Sequence, residues 1–492
     1  KYTQCKLIND NDEILLESDF IKIQCNGYIR SNESIVVYED VYGFTKKITT
    51  NAEDKNEKYN VLLLGVDSMS FFRVISTMPR VTKFMKEHYW LAYKGYHKVG
   101  DNTFPNLMAA LTGKDISSVY ESCSKGMDYC NDIMIWSEFK KAGYVTAYGE
   151  DYLRLPDTFS GHNAFHKQPT DHYIKPLFQT GERECGNGST VCNGKVTSAQ
   201  QLLDYAFDFA LTYRHEAFFG AFWINSHSHN TKGSPRDLDK PLEDFLFRLT
   251  YSHIQRNTFI VLLSDHGIRF GPQRMLMKSY YDERMPALFV WVPPLFRSHY
   301  PKHYRNIIMN QRKLVTPYNL HGMLSNIVHN DLNNNEIEER GTSISLFAEL
   351  SENITCSEAR IHRKWCSCHK MHEHDKMDVD GVKSVIFVLN HIRNVADKVT
   401  TKSCWGCSRF SLKEIIRTHY YYDEQKRNLY HVVAFTLNPG NISYEATVLQ
   451  RENSTLVGPV SVISAYRGLG VCAVHHKDRL YCVCQKVENC QQ

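Results

Sequence analysis

Residues 61–70 read VLLLGVDSMS, a short apolar run interrupted by one glycine and ending abruptly on a carboxylate. Apolar residues without polar alternation form a strand buried on both faces, as in a parallel sheet covered by helices. Residues 217–224 (AFFGAFWI), 259–263 (FIVLL) and 287–292 (ALFVWV) repeat the texture. Between them lie stretches of helical spacing, such as 78–90 (MPRVTKFMKEHYW) and 198–215 (SAQQLLDYAFDFALTYRH). This alternation predicts an α/β fold, a mostly parallel sheet sandwiched between helices.

Outward from that core the texture changes twice. Residues 1–58 carry alternating stretches, FIKIQC (20–25) and SIVVYED (34–40), then a charged, Asn-rich end, which predicts a β-rich lead-in and a linker. The core is expected over 59–350. From 351 to 492 a Cys/His-rich segment precedes alternating stretches such as HVVAFTL (431–437) and YEATVLQ (444–450), with turn residues NPGN between them. That pattern predicts a smaller α+β domain stapled by disulfides.

The 492 residues are 42% hydrophobic and 23% charged with a net charge of +4, the balance of a globular protein and too small a charge to imply nucleic acid as a partner. No run of eighteen apolar residues occurs, and KYTQCKLIND at the start has no signal-peptide pattern. The fifteen cysteines cluster as local pairs: Cys123 with Cys130, Cys185 with Cys192, Cys366 with Cys368, Cys404 with Cys407, and Cys482 with Cys484. Local pairs spread through a large chain read as disulfides of an oxidising compartment, and the odd count leaves a thiol over. The expectation is a secreted chain or a luminal ectodomain, with membrane proximity through a removed anchor. Sequons at Asn32, Asn187, Asn353, Asn441 and Asn453 fit that setting.

Ligands of open α/β sheets bind beyond the carboxyl ends of the strands. Two buried strands end there in acids: 61–66 delivers Asp67, and 259–263 delivers Asp265 and His266. A carboxylate at the tip of an apolar strand is costly unless paired or bound to a cation. Two such groups and a histidine make an oxygen and nitrogen set suited to Zn²⁺, with Mn²⁺ as the alternative. The competing reading makes each Asp the cap of a following helix. A third stretch, 101–113 (DNTFPNLMAALTG), puts Thr103 just ahead of a helix, with Pro105 in the first turn. There the hydroxyl serves either as an N-cap or as a group beside which an anion is welcome.

These pieces resemble a family. GVDS (65–68), NTFPNLMAALTG (102–113) and LLSDHGIRFG (262–271), in that order, are similar to the alkaline-phosphatase-like superfamily of phosphodiesterases, phosphoethanolamine transferases and sulfatases. MPRVTKFM (78–85), EDYLRLPDTF (150–159), PTDHYIKP (169–176), LVTPYNLHGML (314–324) and NPGNISYEATV (438–448) resemble uncharacterised animal proteins with a DUF229 domain. The likeness runs over about 59–490. It implies Thr103 as nucleophile, a first metal on Asp67, Asp265, His266 and the Thr103 oxygen, and in-line transfer of a phosphoryl or substituted phosphoryl group to that oxygen. The substrate would be a phosphate ester on a small molecule, lipid or glycan. A threonine cannot become the formylglycine of ordinary sulfatases, which leaves an atypical sulfatase as the third reading.

The second metal of two-metal relatives is where the pattern thins. His227, His229 and His321 are its candidate ligands, but Asn230 and Asn319 stand where the family pattern has Asp, and an uncharged amide replaces a carboxylate poorly. A catalytically degenerate ectodomain that binds a glycan, lipid head group or protein is therefore the alternative to an enzyme. Three further features have plainer readings. CSCHKMHEHD (366–375) is expected to be disulfides and a His-rich loop rather than a zinc cluster. CWGC (404–407) is expected to be a structural bridge. Glu150 and Asp151 either line the cleft or sit in a solvated turn.

Overall fold

The computed structural model describes residues 4–487 apart from 10, 16, 29–33, 50–57, 152–157, 160–163, 186–190, 230–233, 333–343, 424, 426, 466 and 467. Its centre is a seven-stranded sheet in the order Leu91–Ala92, Leu288–Trp291, Thr258–Leu263, Asn60–Val66, Phe218–Ile224, Val145–Glu150, His172–Tyr173. The last five strands run parallel, and the first two pair antiparallel at one edge. So the run 287–292 is a strand, as its texture predicts, but one of reversed direction.

Every residue of Asn60–Val66, Phe218–Ile224 and Thr258–Leu263 is buried. Alternate side chains enter opposite cores. Val61 and Leu63 pack with Phe259 and Val261 against Met108 and Ala110 of the helix Thr103–Thr112 and Met323 of Pro317–His329. Leu62, Leu64 and Val66 pack with Ile260 and Leu262 against Val74, Phe84, Leu202 and Phe245 from helices on the other face. Two apolar faces explain why these strands show no polar alternation. Gly65 has its own cause: a Cβ there would lie 1.7 Å from the Trp223 ring, which crosses the strand at that point.

An antiparallel ribbon, Phe20–Tyr28 with Ser34–Gly43, leads in. At the other end the long strands Ser411–Tyr422, Leu429–Asn438 and Ile442–Gln450 form an antiparallel sheet on which the helix Val379–Ala396 packs through Val385, Val388 and Ile392. Among the described residues no helix is long and apolar enough to cross a membrane.

The disulfides correct part of the expected pairing. Cys123–Cys130 and Cys185–Cys192 form as expected. Cys366 bridges Cys356 rather than Cys368, Cys407 bridges Cys482 rather than Cys404, and Cys484 bridges Cys472. Cys404 is itself disulfide-bonded. Pairing of the strands Trp405–Cys407 and Cys484–Lys486 brings the segment of Cys407 beside the one that carries Cys482, so a sulfur distant in sequence lies closer than the neighbour at Cys404. Cys5 and Cys25 are free and exposed. Of the sequons, Asn353, Asn441 and Asn453 are exposed, and Asn32 and Asn187 lie outside the described residues.

Candidate active site

The strands Asn60–Val66 and Thr258–Leu263 are parallel neighbours with Gly65 opposite Leu263, so the residues just past their ends meet. Asp67, Asp265 and His266 are all buried, and one donor atom from each lies within 4.8 Å of the others. Neither aspartate caps a helix. Ser70 caps Phe71–Thr77, accepting from the Arg73 amide, and the chain after His266 turns through Gly267 without entering a helix. Gly267 is required there because a Cβ would sit 2.0 Å from the Asp282 carbonyl oxygen.

Thr103 resolves the question its sequence poses. The helix begins at Thr103 itself, and the preceding Asn102 makes no side-chain cap bond. Freed from capping, the half-buried Thr103 hydroxyl donates to Asp67 Oδ2 at 3.0 Å. Ser68 fastens the two carboxylates: its amide donates to Asp265 Oδ1 at 3.1 Å and its hydroxyl to Asp67 Oδ1 at 2.5 Å. It does so from left-handed backbone, φ 57°, an unusual conformation for a residue with a side chain. The Ser264 hydroxyl lies 3.2 Å from Asp265 Oδ1.

The electrostatics are those of a site built for a cation. Burial pushes the Asp67 carboxyl up to about 7, the Asp265 charge adding to it. Burial also acts on Asp265, but the His266 ring and the Ser68 amide outweigh it and hold that carboxyl below its usual value. His266 Nδ1 donates to the Gly267 carbonyl oxygen at 2.8 Å, which turns Nε2 toward Asp265 Oδ2, 3.1 Å away. Asp265 Oδ2 is buried without a hydrogen bond. That carboxylate oxygen, a second carboxylate and a ring nitrogen aimed at them fit a divalent metal.

The remaining candidates divide. His227 and His229 lie just beyond Phe218–Ile224, the strand on the other side of Asp67, whose amide donates to the Ile224 carbonyl. Neither joins the group of Asp67, Asp265 and His266. His227 Nδ1 is 2.8 Å from Ser226 Oγ, which in turn lies 2.5 Å from Asp151 Oδ2. His229 Nδ1 is buried without a partner, and burial lowers the pKa of its ring. His321 is not brought to the site. Its Nδ1 is 3.2 Å from the Ala110 carbonyl oxygen and its ring packs against Gly113, at the far end of the Thr103 helix. Asn319 is turned to local work, capping with Thr316 and donating to the Ile344 carbonyl at 2.9 Å. Asn230 lies outside the described residues.

Glu150 and Asp151 are buried rather than in a solvated turn. Asp151 accepts from the amides of Asn225 at 2.6 Å and Ser226 at 3.2 Å, and burial pushes its carboxyl up to about 6. Glu150 accepts from Asn225 Nδ2 at 2.9 Å. These acids buttress the loop that carries His227 and His229. The histidines of 366–375 are likewise structural in their contacts: His369 stacks on Tyr421, His372 stacks on Tyr420, and His374 packs tilted against the same ring. Sequence reasoning missed Ser68 and Ser226. For Ser68 the only signal was its place directly after the strand-end acid, and a left-handed serine cannot be read from composition.

No curated protein sequence matches the chain. Similar solved structures include a protein in the alkaline phosphatase superfamily from Vibrio parahaemolyticus, at 12% identity over 82% of this chain and 83% of that one, with a TM-score of 0.43. A phosphonate monoester hydrolase from Silicibacter pomeroyi is 10% identical over 80% and 88%, TM-score 0.41. The lipoteichoic acid synthase LtaP from Listeria monocytogenes is 16% identical over 48% and 66%, TM-score 0.35. A family model described as a protein of unknown function, DUF229, matches residues 1–416, taking in the N-terminal ribbon and ending within the strand Ser411–Tyr422. The chain belongs to the DUF229 family.

Proposed function

We propose that the protein is a metal-dependent phosphoryl or substituted-phosphoryl hydrolase or transferase of the alkaline-phosphatase-like kind, with Thr103 as its nucleophile. The observation that carries the reading is the 3.0 Å hydrogen bond from the Thr103 hydroxyl to Asp67, at the point where Asp67, Asp265 and His266 converge. Asp67, Asp265, His266 and the Thr103 oxygen would hold a divalent ion, Zn²⁺ or Mn²⁺. Such an ion supplies a lowered hydroxyl pKa and positive charge for the oxygens of the substrate.

The chain's own residues do the rest. Thr103 passes its proton to its hydrogen-bond partner Asp67 Oδ2 as Oγ1 bonds to phosphorus. The ester bond on the opposite side breaks, its alcohol leaving with a proton from solvent; water or an acceptor alcohol then displaces Oγ1 from the threonyl phosphoester, losing its own proton to solvent while Asp67 returns the first proton to Thr103. The N-terminal end of the Thr103 helix favours the substrate's negative charge. With His321 and Asn319 engaged elsewhere, the reading is of one principal ion. The disulfides support an oxidising compartment, secreted or luminal.

The test is turnover of an aryl phosphodiester by the metal-loaded chain beside Thr103→Ala. The variant is expected to lose at least about a thousandfold in kcat while keeping its metal. An unchanged rate contradicts the mechanism.

A further inference from the structure

The run between Cys366 and Asp378 is fastened at both ends and lightly held between them. Cys366 is bridged to Cys356, and Asp378 caps the helix Val379–Ala396, accepting from the Asp380 and Gly381 amides. In the middle a two-residue strand, His372–Glu373, pairs with Ser411–Tyr422, and the His374 amide donates to the Thr418 carbonyl at 3.0 Å. There the His374 ring lies 5.2 Å, centre to centre, from the ring of His431 and nearly perpendicular to it. His431 stands on the strand Leu429–Asn438 and is 1% exposed.

His431 is committed on one side. Its Nδ1 lies 2.8 Å from the Ser384 hydroxyl, which itself donates to the Asp380 carbonyl at 2.9 Å and so accepts from the ring. Nε2 of His431 is buried without a hydrogen bond, and so is Nε2 of His374. A second proton on His431 must therefore enter at Nε2, where it finds no acceptor while the run is in place. The groups facing the pair do not cancel that cost. Asp378 Oδ2 is 3.6 Å from His374 Nδ1, so a proton on the half-buried His374 has a carboxylate beside it, and that cation stands against the His431 ring. Asp380 favours a proton on His431 but is itself paired with Lys383 at 3.0 Å. The neighbouring strand adds the phenol of Tyr420, across from His431, and His419 within electrostatic reach of His374. Burial and the His374 ring outweigh the two aspartates and lower the pKa of His431.

We propose that His431 and His374 form an acid-sensitive clasp, closed while His431 is neutral, which opens as the medium turns acid and frees residues 369–377 from the C-terminal sheet. The difference is one proton: the closed clasp has room for one on His374, and the open one takes a second on His431. The clasp is at full strength above the ordinary imidazole value of about 6.5, and below it the open fraction grows by up to about tenfold per pH unit. The same run begins at Ser367, whose hydroxyl lies 2.8 Å from Nε2 of the buried His97 on the segment leading to Thr103. The clasp thus sits on the run that joins that segment to the C-terminal sheet.

The experiment is hydrogen exchange read by mass spectrometry on the full chain, from about pH 7.5 to about 4.5 with intrinsic rates corrected for pH, for wild type, His431→Gln and His374→Phe. In wild type the amides of 369–377 should lose protection by up to about tenfold per pH unit below about 6.5, while those of Leu429–Asn438 stay protected. His431→Gln, whose amide can still donate to Ser384 but cannot take a proton, should remove that dependence. His374→Phe, which keeps a ring against Tyr420, should displace its onset to lower pH. Wild-type protection that does not change with pH, or that is lost equally in the sheet, overturns the proposal. So does a wild-type pH profile in His431→Gln. Where His431→Gln loses protection at every pH because its site no longer packs, His374→Phe decides: a displaced onset upholds the clasp, and an unchanged profile overturns it.

Discussion

Asp67 is pushed up to about 7 by burial and by the Asp265 charge, and Asp151 to about 6 by burial. An acid whose folded pKa lies above its unfolded value binds more protons folded than unfolded between the two values. The contributions of Asp67 and Asp151 to the stability of the metal-free chain therefore fall as pH rises from about 4 to about 7, while the buried histidines whose pKa is lowered, His97 to about 4 and, in the same direction, His227, His229 and His321, contribute the opposite slope. Asp265 is shifted the other way, so its own contribution is lost only as pH falls below its unfolded value, outside that window. Thermal melting in chelator of wild type beside Asp67→Asn isolates the Asp67 share: the stability of wild type relative to the variant should fall as pH rises from about 4 to about 7, and saturating metal should raise wild-type stability most at the upper end, where both carboxylates are charged. A relative wild-type stability in chelator that grows over that range would contradict this account of the site. At this scale the sequence was legible where chemistry sits at a strand tip, as with Asp67, Asp265 and His266. It was not legible for Ser68, whose role comes from a backbone angle.

The elements explain which histidines belong to the site and which do not. His321 and Asn319 share the helix Pro317–His329, whose start is fixed by a capping box between Thr316 and Asn319 and whose buried face packs on the Thr103 helix. Residues in motif company in the sequence are thus separated by the length of a helix in space. Asn319→Ala should cost about 1 kcal/mol of stability, the ordinary loss of a cap, and should leave the metal content unchanged. His321→Ala should likewise leave it unchanged. Loss of metal in either variant would show that the helix contributes a second site. The strands were the most legible elements, because burial on both faces forces an unbroken apolar run. The reversed strand Leu288–Trp291 has the same texture as its parallel neighbours, since burial does not report direction. The sequence left Thr103 at or just before the start of its helix for a related reason: Asn102, Thr103 and Pro105 all fit a helix N-terminus, and the structure starts the helix at Thr103, whose hydroxyl bonds to a strand end instead of capping.

Over the whole molecule the C-terminal sheet is joined to the core by buried charge. Glu445, on the strand Ile442–Gln450, meets Arg274 at 3.1 Å and Arg284 at 3.5 Å, with Arg417 of the same sheet, on the strand Ser411–Tyr422, also on it. Glu283 extends the cluster to Lys98 at 2.5 Å, which lies over the Trp365 ring at 3.7 Å. Lys98 and Glu283 belong to the segments leading to Thr103 and following Gly267, so the sheet holds the frame on which the site is built. Nothing in the sequence pairs residues this far apart, and isolated acids and arginines on strands look like solvated faces. The cysteines misled for the same reason, since proximity along the chain was the only distance available. The central claim is that the ends of two buried strands form one divalent-metal site beside Thr103. Metal per chain, measured by elemental mass spectrometry on wild type beside Asp265→Ala, tests it most directly. The account predicts one equivalent of zinc or manganese in wild type and its loss in the variant; a wild-type chain that stays metal-free after incubation with both ions would contradict it.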